Sequence, residues 1–253
     1  MRPIWVPKQH GVWAMMIAPA LTGGIVAGFA FYHVILLVAW VSAYLAFMAV
    51  RGWLRPRQRA RYVRPLALWA SLCLVALAGL LIWRPALVWW AIPLIVLLGA
   101  SQVLIATGHE RTVPNDALLI AASCLMATIA TGGASLTDAS WATFLHSISN
   151  PESWLVTAIF AAYFWGTIFY VKTMIRERGK LSWRIASVVY HLVWLVPAFL
   201  VNPWTGVFAL LLAARAILVP LVWPRTKPVY IGLGEVGLTV VLILIICVTL
   251  SLG

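Results

Sequence analysis

Residues 34–54 read VILLVAWVSAYLAFMAVRGWL, and residues 55–64, which follow directly, read RPRQRARYVR. The first segment is long and apolar enough to cross the hydrocarbon core of a bilayer as a helix, which takes roughly 20 residues. The second segment carries five arginines. A long apolar run followed by a short basic gap is typical of a membrane span that ends on the cytoplasmic side.

The chain contains nine apolar runs of this kind. They lie at about 12–31, 34–54, 66–83, 86–106, 117–136, 154–172, 185–201, 204–223 and 230–251. If these runs are spans, sixteen of the eighteen Lys and Arg residues fall on one face of the membrane. Only Arg84 falls on the opposite face, and only Arg215 lies inside a span.

This distribution of charge predicts the topology. The positive-inside rule places the N-terminus in the cytoplasm and the C-terminus outside, which agrees with an odd number of spans. The loops are short, so we expect an all-α, polytopic helical bundle with nine transmembrane helices. Residues 1–253 would then form a single nine-span transmembrane domain.

Composition excludes several classes of protein. The chain is 64% hydrophobic and 9% charged, which leaves too few polar groups to cover a soluble domain of this length. The net charge of +12 lies in short loops beside apolar runs, a pattern that suits anionic lipid and not nucleic acid. Cys73, Cys124 and Cys247 all lie in predicted spans, without the spacing of a disulfide framework or a metal site.

Small residues in the first span predict a close helix contact. Gly24 and Gly28 are spaced as Gly-x-x-x-Gly, and Gly23 stands beside them. Such residues let two helix backbones approach each other within the membrane. We expect this packing to be within the chain.

The segment at residues 7–14, PKQHGVWA, places Lys8, Gln9 and His10 where the chain enters the bilayer. One interpretation is an interfacial anchor, with Lys8 on lipid phosphate and Trp13 in the headgroup zone. The other is that Gln9 and His10 point into a cavity on the cytoplasmic side. The sequence leaves both open.

The segment at residues 170–180, YVKTMIRERGK, follows the sixth span. An α-helix continuing past the interface would stack Lys172 and Arg176 at i,i+4, with Arg178 at a different angle. Two stacked cations repel each other and need an anion, and a guanidinium suits the geometry of phosphate. The alternative is that these charges only orient the chain, although Lys172 begins deeper than orientation requires.

Together these two segments resemble the YwiC-like family of bacterial membrane proteins. The resemblance rests on Lys-Gln-His-Gly-x-Trp-Ala at 8–14 and on Tyr-Val-Lys-Thr-Met-Ile-Arg-Glu-Arg-Gly at 170–179, and it extends from end to end of the chain. It implies a multi-pass protein of the bacterial cytoplasmic (inner) membrane and no particular reaction.

The layout of nine spans with basic loops after spans two, four and six is also similar to that of UbiA-type intramembrane prenyltransferases. In that superfamily, Asp-rich motifs at the ends of spans two and six hold Mg²⁺, and the Mg²⁺ holds a prenyl diphosphate. The matching positions here, RGWLR at 51–55 and KTMIRERGK at 172–180, carry Arg and Lys instead. Mg²⁺ is therefore not expected as a cofactor, and the resemblance implies direct contact between cations and phosphate.

The loop between spans four and five reads GHER at 108–111, with Asn115 and Asp116 just beyond. Asp116 is one of only six acidic residues, and it is either a general base or the partner of a nearby arginine. His109 and Glu110 lack the spacing of a metal-binding motif, so no metal site is predicted.

Two charges lie inside predicted spans, Arg215 in span eight and Glu235 in span nine. Charges within a membrane are costly and usually pair with each other or face a polar interior. Arg215 and Glu235 are therefore expected to pair, directly or through water. The alternative is that Arg215 lines a polar cavity above the basic loops. His191 would line the same cavity or bond a neighbouring carbonyl.

These features predict a cavity, open to the cytoplasmic side, that binds a lipid with a phosphate or diphosphate head and an isoprenoid or acyl tail. The candidate substrate-binding residues are Lys8, Gln9, Arg51, Arg55, Arg111, Asn115, Lys172, Arg176, Arg178 and Arg215. If the protein is a UbiA-like transferase, the candidate acid–base residues are Asp116, Glu177 and His10.

Two other functions remain open at this point. Pro within spans, together with Arg215 and Glu235, suits a transporter or flippase for an anionic metabolite or lipid. The absence of a strong catalytic motif suits a non-catalytic accessory protein of another membrane complex. The sequence does not predict an oligomeric state.

Overall fold

An apolar run inside a bilayer has no water to bond its backbone, so it forms its hydrogen bonds internally as a helix. A computed structural model describes residues 5–6, 10–54, 59–132 and 138–251, and every regular element within them is helical. The all-α prediction is therefore confirmed. Lys8, Gln9 and Arg55 lie outside the described residues, as does the side chain of His10.

The described ranges contain ten α-helices. In chain order they are α1 His10–Val26, α2 Phe31–Trp53, α3 Arg59–Trp83, α4 Ala91–Ala106, α5 Val113–Gly132, α6 Trp141–Ile148, α7 Pro151–Val171, α8 Leu181–Val201, α9 Pro203–Val222 and α10 Pro228–Ser251. A 3₁₀ segment, Pro85–Trp90, leads into α4, and a π-helical turn, Lys172–Arg176, extends α7.

Eight of these helices, counted with their 3₁₀ and π extensions, are long and apolar enough to span a membrane within the described ranges. Helix α1 is a shorter apolar helix of 17 residues. All nine predicted apolar runs therefore fold as helices, and the protein is a membrane protein of the multi-pass type. The orientation of its termini stays a prediction.

The described residues group into two compact units. Unit 1 includes residues 19–157, which cover the last turns of α1, helices α2 to α6 and the start of α7. Unit 2 includes residues 10–18 and 158–251, which cover the first turns of α1, most of α7 and helices α8 to α10. Each unit is described by itself below, and the organisation as one domain stays a prediction.

In unit 1, α1 and α5 approach each other at Gly23. A Cβ atom at this position would lie 3.0 Å from the Cα of Ala127 and closer still to its carbonyl oxygen. The predicted close helix contact is therefore present, but Gly23 makes it. Gly28 instead lies beyond the end of α1 with a φ of +75°, a conformation that favours glycine.

The predicted loop at 137–153 contains a helix, α6, which shows two different faces. Trp141 and Leu145 are exposed, whereas Phe144 and Ser147 are buried. Ser140 caps the helix by accepting a hydrogen bond from the backbone N–H of Thr143 at 3.1 Å. Hydrogen bonds from Ser140 and Thr143 also lower the pKa of the exposed Asp138. An amphipathic helix of this kind suits a position along the membrane interface.

Candidate functional site

Two of the predicted site residues of unit 1, Arg51 and Asn115, both bond to Glu110. Arg51, at the end of α2, forms an ion pair with Glu110. Asn115 is buried, accepts a hydrogen bond from Ser101 at 2.6 Å and donates one to the carbonyl of Glu110 at 2.9 Å. These contacts fix the loop before α5 against α2 and α4. Arg111 is exposed, and Asp116 is half-buried in the first turn of α5.

In unit 2, the predicted i,i+4 stacking of Lys172 and Arg176 is wrong. The segment Lys172–Arg176 is a π-turn, closed by a 2.7 Å hydrogen bond from the Glu177 N–H to the Lys172 carbonyl. Lys172 is buried with its ammonium 5.4 Å from the centre of the Trp183 ring, whereas Arg176 is exposed. The wider turn separates the two cations, which therefore require no common anion. Single π-turns within α-helices are often found at functional sites.

The residues after the π-turn form local contacts. Glu177, a predicted acid–base residue, forms a 2.7 Å ion pair with Lys180 on the same loop. Arg178 donates from Nε to the Met174 carbonyl at 2.9 Å and from Nη2 to the Thr226 carbonyl at 3.3 Å. Arg178 therefore connects the loop between α7 and α8 to the loop between α9 and α10.

Arg215 on α9 and Glu235 on α10 form a direct ion pair within unit 2. Their side chains are 12% and 7% exposed. The direct pair is one of the two arrangements that the sequence predicted.

Two hydroxyl groups from α7 complete the coordination of the Glu235 carboxylate. Its Oε1 accepts from Arg215, and its Oε2 accepts from Thr167 at 2.8 Å and from Tyr163 at 3.1 Å. Thr239, one turn further along α10, lies 3.2 Å from the Tyr163 hydroxyl. The Tyr163 hydroxyl also lies 3.0 Å from the backbone carbonyl of Glu235, and its single proton serves one of the two oxygens. Because Arg215 is a permanent cation, Glu235 acts as its fixed counter-charge.

Arg215 retains unused hydrogen-bonding capacity. Its Nη1 is bonded to Glu235, and its guanidinium carbon lies 4.0 Å from the centre of the Tyr170 ring, a cation–π contact. Its Nε and Nη2 are buried and have no hydrogen-bond partner among the residues that the structure describes. A buried donor without an acceptor typically costs about 1–3 kcal/mol, and more when it is charged.

Arg215 also lines a cavity of about 370 Å³, but the predicted cavity was polar and this one is mainly apolar. This volume is at the lower end of the range for small-molecule sites. The lining residues come from α7, α9, α10 and the loop between α9 and α10, and they are Tyr170, Arg215, Val219, Trp223, Thr226, Tyr230, Ile231, Gly234, Glu235 and Leu238. Apart from the buried ion pair and Thr226, the walls are apolar or aromatic.

His191 does not line this cavity. Its Nδ1 lies 2.7 Å from the carbonyl of Ser187 one turn earlier on α8, which is the second role that the sequence offered. The ring packs against α7 at Gly166, where a Cβ would come within 2.9 Å of Nε2.

Tyr163 and Thr167 were not predicted as site residues. Both are hydroxyl groups in a mainly apolar span, where such groups usually bond within their own helix. Their spacing was nevertheless a usable signal, because residues at i and i+4 share one face of a helix. Glu235 and Thr239 have the same spacing on α10. The sequence therefore offered a polar face on α7 and another on α10, and a contact between these two faces could have been predicted.

The amino-acid sequence matches the model of the YwiC-like protein family over residues 6–131. A Bacillus subtilis (strain 168) protein, described as uncharacterized protein YwiC, is 29% identical over 190 residues, or 74% of each chain. The chain belongs to the YwiC-like family. The predicted resemblance to this family is therefore confirmed.

An uncharacterized protein of Haemophilus influenzae is 24% identical over 247 residues, which is 96% of this chain and 97% of that protein. The likeness to that protein therefore extends over both units, whereas the matched family range stops short of the cavity. No solved structure matches the chain. These matches do not bear on the UbiA-type layout, which stays a prediction.

Proposed function

We propose that this protein binds a phosphate-bearing lipid in the cavity of unit 2. One observation carries the proposal: Arg215, whose side chain is 12% exposed and has unused donors, lines a mainly apolar cavity between membrane-spanning helices. The phosphate would lie at the mouth of the cavity, and the apolar chain would follow the walls formed by Val219, Ile231 and Leu238. An acceptor on the lipid would satisfy the guanidinium.

The depth of the ion pair supports a functional role. Arg215 lies seven residues before the end of α9 at Val222, and Glu235 lies seven residues after the start of α10 at Pro228. At 1.5 Å per residue, Arg215 lies about 10 Å from the C-terminal end of α9, and Glu235 lies about 10 Å from the N-terminal end of α10. Ionisable residues at such depth are rare and usually mark a ligand or ion site.

The exposure of the cavity walls supports a ligand that arrives from the bilayer. Trp223 and Tyr230 line the cavity and are 62% and 63% exposed, and Gly234 is exposed as well. The cavity therefore opens along the sides of α9 and α10, which are apolar. A lipid can enter such an opening laterally, whereas a water-soluble anion would first have to leave water.

Cations at the mouth support a phosphate as the head of that lipid. Arg178 bonds the carbonyl of Thr226, a lining residue, and Arg225 and Lys227 flank Thr226 in the sequence. The charge pattern assigns this end of the spans to the cytoplasmic leaflet, which carries anionic lipid. Because the relatives are bacterial, we place the protein in a bacterial cytoplasmic membrane.

The proposal is for binding and not for transfer or proton-coupled transport. Glu177 already pairs with Lys180. Glu235 is paired with Arg215, so it fits a residue that positions the guanidinium better than one that carries a proton.

Filling the cavity from α10 tests the proposal. Gly234 lines the cavity and a Cβ there meets no atom within 4 Å, so Gly234→Leu is expected to occupy the cavity without disturbing the ion pair. Native mass spectrometry of the protein purified in mild detergent should show the co-purifying phosphate-bearing lipid reduced at least tenfold, which corresponds to about 1.4 kcal/mol.

Gly237→Leu is the matched control. Gly237 lies on the same helix and is also open around its Cβ, but it does not line the cavity. This variant should retain the lipid of the wild type, and both variants should keep the wild-type Tm. Equal lipid content in the two variants would show that the cavity is not the binding site.

A further inference from the structure

The cavity of unit 2 presents polar groups at two levels. At the mouth is Thr226, whose carbonyl accepts from Arg178 and which Arg225 and Lys227 flank in the sequence. Two turns further into α9 is Arg215. The lining between the two levels is apolar or aromatic. A ligand that satisfies both levels must therefore carry two polar groups, one behind the other along its length.

The deeper level is electrically balanced. The positive charge of Arg215 is matched by the carboxylate of Glu235, which lines the same cavity. A second anion placed beside this pair would be buried without a countercharge of its own, which is strongly unfavourable. A neutral oxygen acceptor avoids that cost and still satisfies the Nε and Nη2 donors, which have no partner among the described residues. The deeper group of the ligand is therefore an uncharged acceptor such as a carbonyl.

We infer that the ligand is a diacyl glycerophospholipid, held by its phosphate at the mouth and by an ester carbonyl on Arg215. This inference rests on the proposed binding of a phosphate-bearing lipid and decides between its acyl and isoprenoid forms. A diacyl glycerophospholipid carries ester carbonyls a few bonds inward from its phosphate. An isoprenyl phosphate carries only hydrocarbon there and would leave Arg215 with the same unsatisfied donors.

Competition between matched lipids tests the inference on the full-length protein. The delipidated protein in mild detergent is offered equimolar dioleoyl phosphatidylglycerol and its dialkyl ether analogue, which has the same head and chains but no ester carbonyls. Native mass spectrometry reads the bound ratio. We expect the diester to be favoured at least tenfold. In a separate mixture, the diester should be favoured over farnesyl phosphate by a similar factor.

Two variants distinguish the contribution of Arg215 from that of the cations at the mouth. Replacing both charges of the pair, as Arg215→Leu with Glu235→Leu, should bring the diester-to-ether ratio close to one, because the donors to the carbonyl are gone. Arg178→Ala, at the mouth, should weaken diester and ether binding by similar factors and leave their ratio above ten. A ratio that responds to Arg178 and not to Arg215 would overturn the assignment of the two levels.

The remaining outcomes are distinct. Equal binding of diester and ether lipids by the wild type would overturn this inference and leave the proposed lipid binding in place. Preference for farnesyl phosphate would overturn it in favour of an isoprenoid ligand. Binding of none of the three probes would overturn both this inference and the proposed function.

Discussion

Glu235→Ala is expected to lower the free energy of unfolding by about 3–5 kcal/mol, the usual cost of removing one partner of a buried ion pair. Arg215 would keep its charge at the same depth without a counter-ion, and Thr167 would lose the acceptor of its hydroxyl group. Tyr163 would keep the backbone carbonyl of residue 235 as its acceptor. The measurement is an unfolding titration with a denaturing detergent in mild micelles. The loss should also appear as a lower Tm.

The double variant Arg215→Leu with Glu235→Leu is the control for this prediction. Replacing a buried ion pair by apolar residues of similar volume is often neutral or stabilising, since no charge remains to be desolvated. The double variant should therefore recover most of the stability lost in Glu235→Ala. If the two variants were equally unstable, the pair would contribute by shape and packing and not by charge.

Gly23→Val is expected to destabilise unit 1 by about 3 kcal/mol, the upper part of the range for overpacking in a core. The added Cβ would press on the backbone of Ala127, which cannot turn away as a side chain can. Helices α1 and α5 would have to separate over their contact. The Tm of the purified protein in detergent measures the effect, and Gly23→Ala should show a smaller loss of the same sign.

Gly79→Val provides the comparison on α3. A Cβ at Gly79 meets no atom within 4 Å, so this variant makes the same chemical change without a steric contact. It should leave the Tm close to that of the wild type. A similar loss in both variants would mean that valine itself, and not the contact with Ala127, is the cause.

The helical fold could be predicted from the sequence because an apolar segment inside a bilayer can satisfy its backbone hydrogen bonds within itself only as a helix. Nine apolar runs gave nine apolar helices, since each run must satisfy its own N–H and C=O groups. The boundaries were less certain, as the start of α3 at Arg59 instead of residue 66 illustrates. The first turns of α3 contain arginines and lie outside the apolar run. A prediction based on hydropathy therefore does not include them in the helix.

The candidate site could be predicted only in part. Arg215 and Glu235 could be predicted because each is a charged residue within an apolar run. Two opposite charges on neighbouring spans suggest an ion pair. Tyr163 and Thr167 were missed because their roles depend on which face of α7 meets α10. The π-turn at 172–176 was missed for a related reason: its sequence would serve equally well in an α-helix. The interactions that widen the turn are made with other parts of the fold.

The π-turn also sets the rotational phase of everything that follows it. It closes over one residue more than an α-turn, so the next residues are offset by about 100° around the helix axis, the angle of one α-helical residue. Along this turn Lys172 is buried and Arg176 is exposed. After the turn, Arg178 reaches the carbonyl of Thr226. A chain one residue shorter here would keep the same cations and aim each of them in a different direction. The length of this segment is thus as much a determinant of the cavity mouth as the identity of its side chains.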